Sequence, residues 1–394
     1  MNAHDRVLTA LHHQEPDRVP IEFGAASTSS IVLGPPYGYD ALCGYLGLSD
    51  RPTPQLARLF GNSVANPDER ILEQFGADLR WIAPDGPDLV EIDASTLWNP
   101  NWGYRIISID GINQPDDASA PLRDATIEDI RKYAHWPNTR DPLLRANKRQ
   151  EARRHREHGF AVVANPGVGC EIFEPYTRLR GWDTWLLDMR DDPRLYHSLA
   201  ERILEIDVAV MQEFLPEVAE SIDIVFMADD LGTQHGPIMS LDDYRRFCRP
   251  YQARWIAEAR RLAPHAYVMM HSCGDFYALI PDLIEIGVDI LQPVQPKASH
   301  MEPWRLKHDF GTALSFMGGL DTQELLPFGT SEEVRAGARA LIDEYGAGGG
   351  FIFAPSHEIL PDAPPENIAA MYGEALAYGR YPLRTSGDRG LAHH

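Results

Sequence analysis

The chain has 394 residues, 44% of them hydrophobic and 24% charged, with four cysteines and a formal net charge of −22. A surface this acidic repels phosphate backbones, which argues against a nucleic-acid partner, and no window reaches the roughly 18 apolar residues of a membrane span. Cys43, Cys170, Cys248 and Cys273 are too few and scattered for a disulfide framework. The N-terminal stretch MNAHDRVLTALHH has charges and histidines where a secretory leader needs an apolar run. A reducing, cytoplasmic setting is therefore expected.

In chain order, residues 1–15 read as a helix and RVPIEFG (18–24) as a first strand. Residues 37–76 read as helices, and ADLRWIAP (77–84) as a second strand. Residues 85–123, rich in Asp, Asn, Gly and Trp, look like hairpins inserted over one end of the fold. Six more apolar runs follow: FAVVANPG (160–167), IDIVFMADDLG (222–232), HAYVMMHSCG (265–274), VDILQPVQP (288–296), ALSFMGGLD (313–321) and GFIFAPSHEI (350–359). Between them lie stretches with apolar residues at three- and four-residue spacing, such as PRLYHSLAERILEIDVAVMQEFL and SEEVRAGARALIDEYG. Strand–helix alternation of this kind implies a parallel sheet with helical crossovers, and eight such units predict an α/β fold, the (β/α)8 TIM barrel. An open doubly wound sheet is the alternative, but no Gly-rich phosphate fingerprint follows the first strand. Residues 1–380 are expected to be one domain and 381–394 a tail. A homodimer is the default assembly.

In such barrels the chemistry gathers where strands end and the following loops begin. Those ends carry Glu22, Asn165, Asp229 and Asp230, His271 and Cys273, Gln292 and Gln295, Asp321, His357 and Glu358. His235 lies in the loop after the fourth run. His271 and Cys273 are two apart on a strand, so they face the same way. With His357 they make three nitrogen or sulfur ligands and leave a position open, which fits a catalytic zinc site. The same residues also suit a buried cysteine and hydrogen-bonded histidines. Of the adjacent Asp229 and Asp230 only one can face the axis, the other being free to cap a helix; Asp321 has the same two readings. Phe23, Trp81, Trp98, Trp102 and Tyr104 read first as core, and as stacking surfaces for a substrate or cofactor ring only if the hairpin insertion covers the barrel mouth.

Four segments carry a resemblance: DDLGTQHGPIMSLDDYRRFCRPY (229–251), HSCGDFYALIPDLIEIGVDILQPVQ (271–295), SFMGGLDTQELLPFGTSEEV (315–334) and FAPSHEILPDAPPENIAAM (353–371). The chain resembles the uroporphyrinogen decarboxylase-like superfamily, which folds as a (β/α)8 barrel. One branch of it decarboxylates a porphyrinogen without metal; the other contains zinc-dependent methyltransferases that work with corrinoid proteins or thiols. In the second branch zinc is held by a His-x-Cys pair and a third residue late in the barrel, commonly Cys. His271 and Cys273 match the pair, and His357, in FAPSH, stands at the third position. The decarboxylase branch carries an Arg-rich segment after the first strand, where this chain has IEFGAASTSS with Glu22 and no arginine.

The resemblance therefore implies a methyltransferase with Zn2+ on His271, Cys273 and His357. It would move a methyl group from a small methylated donor to the Co(I) of a corrinoid (cobalamin) on a partner protein. This chain has no D-x-H-x-x-G cobalamin-binding stretch of its own. One thiolate and two neutral imidazoles leave a net +1 at zinc, which favours Lewis-acid activation of an ether and hence O-demethylation. Glu22 as a further ligand would cancel that charge. Asp229, Asp230 or Glu22 would serve the leaving oxygen, while Asn165, Gln292, Gln295, Asp321 and His235 would contact substrate. The alternatives are a metal-free decarboxylase and a non-catalytic tetrapyrrole-binding barrel.

Overall fold

The computed structural model describes residues 1–24, 27–48, 64–85, 89–109, 112–167 and 172–383. Seven parallel strands form one sheet in the order β1 (Leu79–Ile82), β6 (Ala161–Ala164), β7 (Ile224–Ala228), β8 (Tyr267–His271), β9 (Ile290–Val294), β10 (Ser315–Leu320) and β11 (Phe351–Pro355). Each falls within one of the apolar runs picked out above. Between β1 and β6 the chain makes a separate antiparallel sheet, β2 (Val90–Asp93), β3 (Thr96–Trp98), β4 (Arg105–Ile109) and β5 (Ile112–Pro115), inside the stretch expected to form hairpins.

The first expected strand, 18–24, is not a regular strand. Pro20 has no N–H to give a ladder, and the Ile21 N–H is used by the Asp78 side chain at 2.8 Å. The segment nevertheless takes the eighth position. Phe353 of β11 donates to the Pro20 carbonyl at 2.8 Å and accepts from Glu22 N–H at 2.9 Å, while Asp78 N–H, just ahead of β1, donates to the Ile21 carbonyl at 2.8 Å. These bonds join β11 to β1 and close the sheet into a barrel.

Alternation fills the interior. Leu79, Ala161, Val163, Ile224, Phe226, Ala228, Met269, Ile290, Met317, Ile352 and Ala354 form one buried cluster, with Val7 and Leu11 of helix α1 (Ala3–Leu11) packed into it. The intervening strand residues pack outward against the helices in a second, larger cluster. Among those helices, Pro193–Val218 and Ser331–Tyr345 follow the predicted periodicity. The helix after β7 is interrupted: Leu241–Asp243 leads into a wide turn at Tyr244–Cys248, and the winding resumes as Arg249–Leu262. Of the helices expected over 37–76, Gly38–Tyr45 and Glu69–Gln74 are present; residues 49–63, and 384–394 of the expected tail, lie outside the described residues. No helix among the described residues is long and apolar enough to cross a membrane.

An aspartate precedes every second strand on one side of the ring. Asp78, Asp223 and Asp289 stand immediately before β1, β7 and β9. Their carboxylates accept the N–H groups of Ile21, Val162 and Val268, each on the preceding strand position, at 2.8, 2.9 and 2.7 Å. Each also takes an arginine: Arg6 and Arg18 on Asp78, Arg156 on Asp223, Arg260 on Asp289. The Asp78 group is buried, and removing one partner from a buried charge cluster strands the others. Asp78→Ala should therefore lose about 3–5 kcal/mol in urea unfolding. Asp289→Ala, at a position where Arg260 is 38% and Asp289 30% exposed, should lose only about 1 kcal/mol.

Candidate metal centre

β8 runs Tyr267, Met269, His271 along its interior face, and the same alternation carries Cys273 past the strand end toward the barrel mouth. His271 is in register with Ala228 of β7 and Gln292 of β9. His357 arrives from the far side of the ring, two residues beyond the end of β11. The ligand atoms of His271, Cys273 and His357 all lie within 4.8 Å of one another. Cys273 Sγ is 3.5 Å from His271 Nε2, and the two imidazole rings meet edge-on with centroids 5.9 Å apart.

The loop bearing Cys273 is held on every side. Its N–H donates to Asp230 Oδ1 at 2.8 Å, and Gly274 N–H donates to Gln295 Oε1 at 2.7 Å. Leu231 N–H donates to Ser272 Oγ at 3.0 Å, and Asp275 N–H to the Thr233 carbonyl at 2.6 Å. The loops after β7 and β8 cross at two glycines. A Cβ on Gly274, where φ is +76°, would stand 2.5 Å from the Gly232 carbonyl carbon, and one on Gly232 would stand 2.6 Å from the Cys273 carbonyl oxygen. Only glycine permits that approach.

Burial pushes the Cys273 thiol well above its ordinary value, and Asp230, Glu174 and Glu358 add to it. Burial first, then the neighbouring His271, drives His357 down to about 4, so its ring is neutral. A thiol this disfavoured as an anion becomes a thiolate when a cation sits beside it. One sulfur and two imidazole nitrogens at these separations are a donor set that suits zinc.

The other expected residues take different places relative to this cluster. Asp230 is the inward member of its pair, with Oδ1 3.5 Å from His271 Nε2. Asp229 is turned the other way: it accepts from the N–H groups of Ile172 and Phe173 at 3.1 and 2.8 Å and from Gln252 Nε2 at 3.0 Å. It thus fixes the start of the helix Phe173–Arg180, and burial raises its carboxyl to about 6. Gln292 Oε1 accepts from His271 Nδ1 at 2.6 Å. Asn165 Oδ1 accepts from Gly167 N–H at 2.9 Å. Asp321 caps the turn after β10, accepting from the N–H groups of Gln323 and Leu325 at 2.8 and 3.1 Å. Glu22 is wholly buried at the end of the closing segment, and His235 is exposed, its backbone N–H on Thr233 Oγ1.

Below the cluster, Phe226 packs against His271 and Trp81 against Phe226, with centroids 6.2 and 5.2 Å apart. The remaining aromatics pack elsewhere: Phe23 with Phe75 and Tyr372, Trp102 with Trp136, Trp98 with His135, and Tyr104 with Arg178. Cys43 and Cys248 are buried, and Cys170 lies outside the described residues. Sequence reasoning missed Thr28, Ser272 and Gln252, which hold site residues through hydrogen bonds. For Ser272 and Gln252 the one signal was polarity within or next to otherwise apolar segments.

The family model described as uroporphyrinogen decarboxylase (URO-D) matches residues 176–378, just over half of the chain and including β7 to β11 with the whole cluster. The chain belongs to the URO-D family. Uroporphyrinogen decarboxylases of Chlorobaculum parvum and Chlorobaculum tepidum are each 22% identical, over 46% and 48% of this chain and 49% and 51% of their own. The chain thus spans about half the length of the curated relatives it matches. A methyltransferase from Methanosarcina mazei has a similar fold across 96% of this chain and 99% of its own, at 17% identity and a TM-score of 0.60.

Two outcomes follow from this packing. Gly274→Ala should cost about 1–3 kcal/mol of stability and make Cys273 react at least about tenfold faster with a thiol reagent. Asp229 binds its proton more tightly folded, at about 6, than its ordinary 3.8. Its contribution is therefore fully present below pH 4 and is lost as pH rises through 6. Asp229→Asn should remove that part of the pH dependence of urea unfolding between pH 4 and 6.

Proposed function

We propose that this member of the URO-D family is a zinc-dependent methyltransferase. It takes a methyl group from a small methylated donor, for which we favour a methoxylated compound, and passes it to the corrinoid of a separate protein. The observation that carries this reading is the convergence of Cys273 with His271 and His357 within 4.8 Å at the barrel mouth. Zinc held by them would supply Lewis acidity at the donor's heteroatom, with a net +1 left by one thiolate and two neutral imidazoles. The partner's Co(I) corrinoid would supply the nucleophile.

The chain's own residues would divide the remaining work. Asp230, the inward carboxylate beside His271, is assigned the proton exchange with the leaving oxygen. Phe226 and Trp81 form an apolar floor that excludes water beneath the reacting groups. The Gly232–Gly274 crossing and Asp230 hold the Cys273 loop in place. A second reading, decarboxylation, is favoured by the curated relatives, which are uroporphyrinogen decarboxylases. Against it stand Asp230, Glu174 and Glu358 around Cys273, since a substrate rich in carboxylates would meet charges of its own sign.

Metal analysis and a single-turnover assay separate the two. We expect about one zinc per chain, lost in Cys273→Ala, and methyl transfer from a methoxylated aromatic probe to cob(I)alamin that falls at least about 100-fold in metal-free protein. Undiminished transfer without metal overturns the mechanism. Carbon dioxide release from uroporphyrinogen by metal-free protein would establish the second reading instead.

A further inference from the structure

Gln292 is a polar side chain that ties His271 to Thr28, in the stretch that follows the closing segment. It is wholly buried and sits across the strand pair from His271. A buried primary amide is expensive to desolvate unless both of its ends are used. Here both are: Oε1 accepts from His271 Nδ1 at 2.6 Å, and Nε2 donates to Thr28 Oγ1 at 3.1 Å.

The bond has a direction. A carbonyl oxygen carries no hydrogen, so His271 Nδ1 must be the donor. In the neutral ring the lone pair is then on Nε2, the nitrogen that lies 3.5 Å from Cys273 Sγ. Thr28 Oγ1 holds the Nε2 end of the amide, while the oxygen meets the imidazole. An amide also differs from a carboxylate in this place. A carboxylate would draw the Nδ1 proton toward itself and push electron density through the ring to a metal on Nε2. The amide orients the ring without adding that charge.

We propose that Gln292, anchored by Thr28, is a positioning residue of the metal centre. It holds His271 as the Nδ1–H tautomer with the Nε2 lone pair free for a metal, and its neutrality would preserve the electrophilic character of a metal held there. The proposal rests on the zinc reading above and gives Gln292 a role in place of the expected substrate contact.

The test uses the full chain with three variants: Gln292→Met, which is similar in shape but has no acceptor; Gln292→Glu, which keeps the acceptor and adds charge; and Thr28→Val, which removes the anchor. Zinc affinity is measured by competition with a chromophoric chelator. The visible spectrum of the Co2+-loaded protein reports ligand geometry, and thermal unfolding of the metal-free protein reports folding. Gln292→Met should bind zinc about 10–100-fold more weakly and alter the Co2+ bands. Thr28→Val should move both readouts the same way by a smaller factor, and it carries the test if Gln292→Met does not fold. Gln292→Glu should restore zinc affinity to within about threefold of wild type while slowing methyl transfer about tenfold. Wild-type protein that binds zinc, alongside a Met variant with unchanged affinity and Co2+ spectrum, overturns this proposal alone. Wild-type protein that binds no zinc overturns the metal reading and this proposal with it.

Discussion

Closure of the ring is the constraint from which the site follows. β8 and β11 are separated by two strands in the sheet, and on an open, twisting sheet their ends would diverge. Residues 20–22 join β11 to β1 through three backbone hydrogen bonds, and Asp78 fastens the segment with a fourth. Once the sheet is closed, side chains at the strand ends converge on one axis. His357 then meets a histidine and a cysteine that lie far away in sequence. The His271–Cys273 pair itself needs no closure, because alternation along a single strand sets both on one face.

The two ends of the barrel use their polar residues for different purposes. At the N-terminal end, Asp78, Asp223 and Asp289 spend their carboxylates on backbone N–H groups and arginines, tying neighbouring strands together. At the C-terminal end the polar groups gather around a space. Asp229 and Asp230 mark the border between the two uses. The first reaches outward to the helix Phe173–Arg180 and to Gln252, whose Oε1 accepts from Tyr244 in the wide turn Tyr244–Cys248. The second reaches inward to the Cys273 N–H. A helix that departs from regular winding beside a site is a common way of aiming one side chain, and here the side chain aimed is Tyr244.

Much of the fold was legible because apolar runs and their spacing report directly on burial. The seven strands of the parallel sheet lie within runs read from the sequence alone. The first run misled because Pro20 and the diverted Ile21 N–H break the ladder while leaving the chain in the barrel position. For the candidate site, periodicity gave the face but not the partner. It set Gln292 on the inner wall beside His271, yet nothing in the spacing says that its oxygen goes to a ring nitrogen rather than to a substrate. It offered Asp321 as a rim residue, while the backbone N–H groups that this carboxylate satisfies belong to a turn no period encodes. Thr28 left no trace at all, since its segment was read for the arginines it lacks.

The electrostatics of Cys273 join these observations. The chain carries −22 overall, and the carboxylates nearest this thiol all oppose its ionisation. Burial alone already disfavours the thiolate, so a protein selecting for a reactive free cysteine would surround it with cations or a helix N-terminus. Here the surroundings do the reverse: His357 is held neutral by burial, and His271 gives its Nδ1 hydrogen to an amide. Such a pocket favours neither a lone thiolate nor an anionic guest. A divalent cation of the kind proposed would reverse each of these effects, because it would pair with the thiolate, use the nitrogen lone pairs and benefit from Asp230, Glu174 and Glu358. The acidity that makes Cys273 a poor nucleophile on its own is the surrounding that the proposed metal would need.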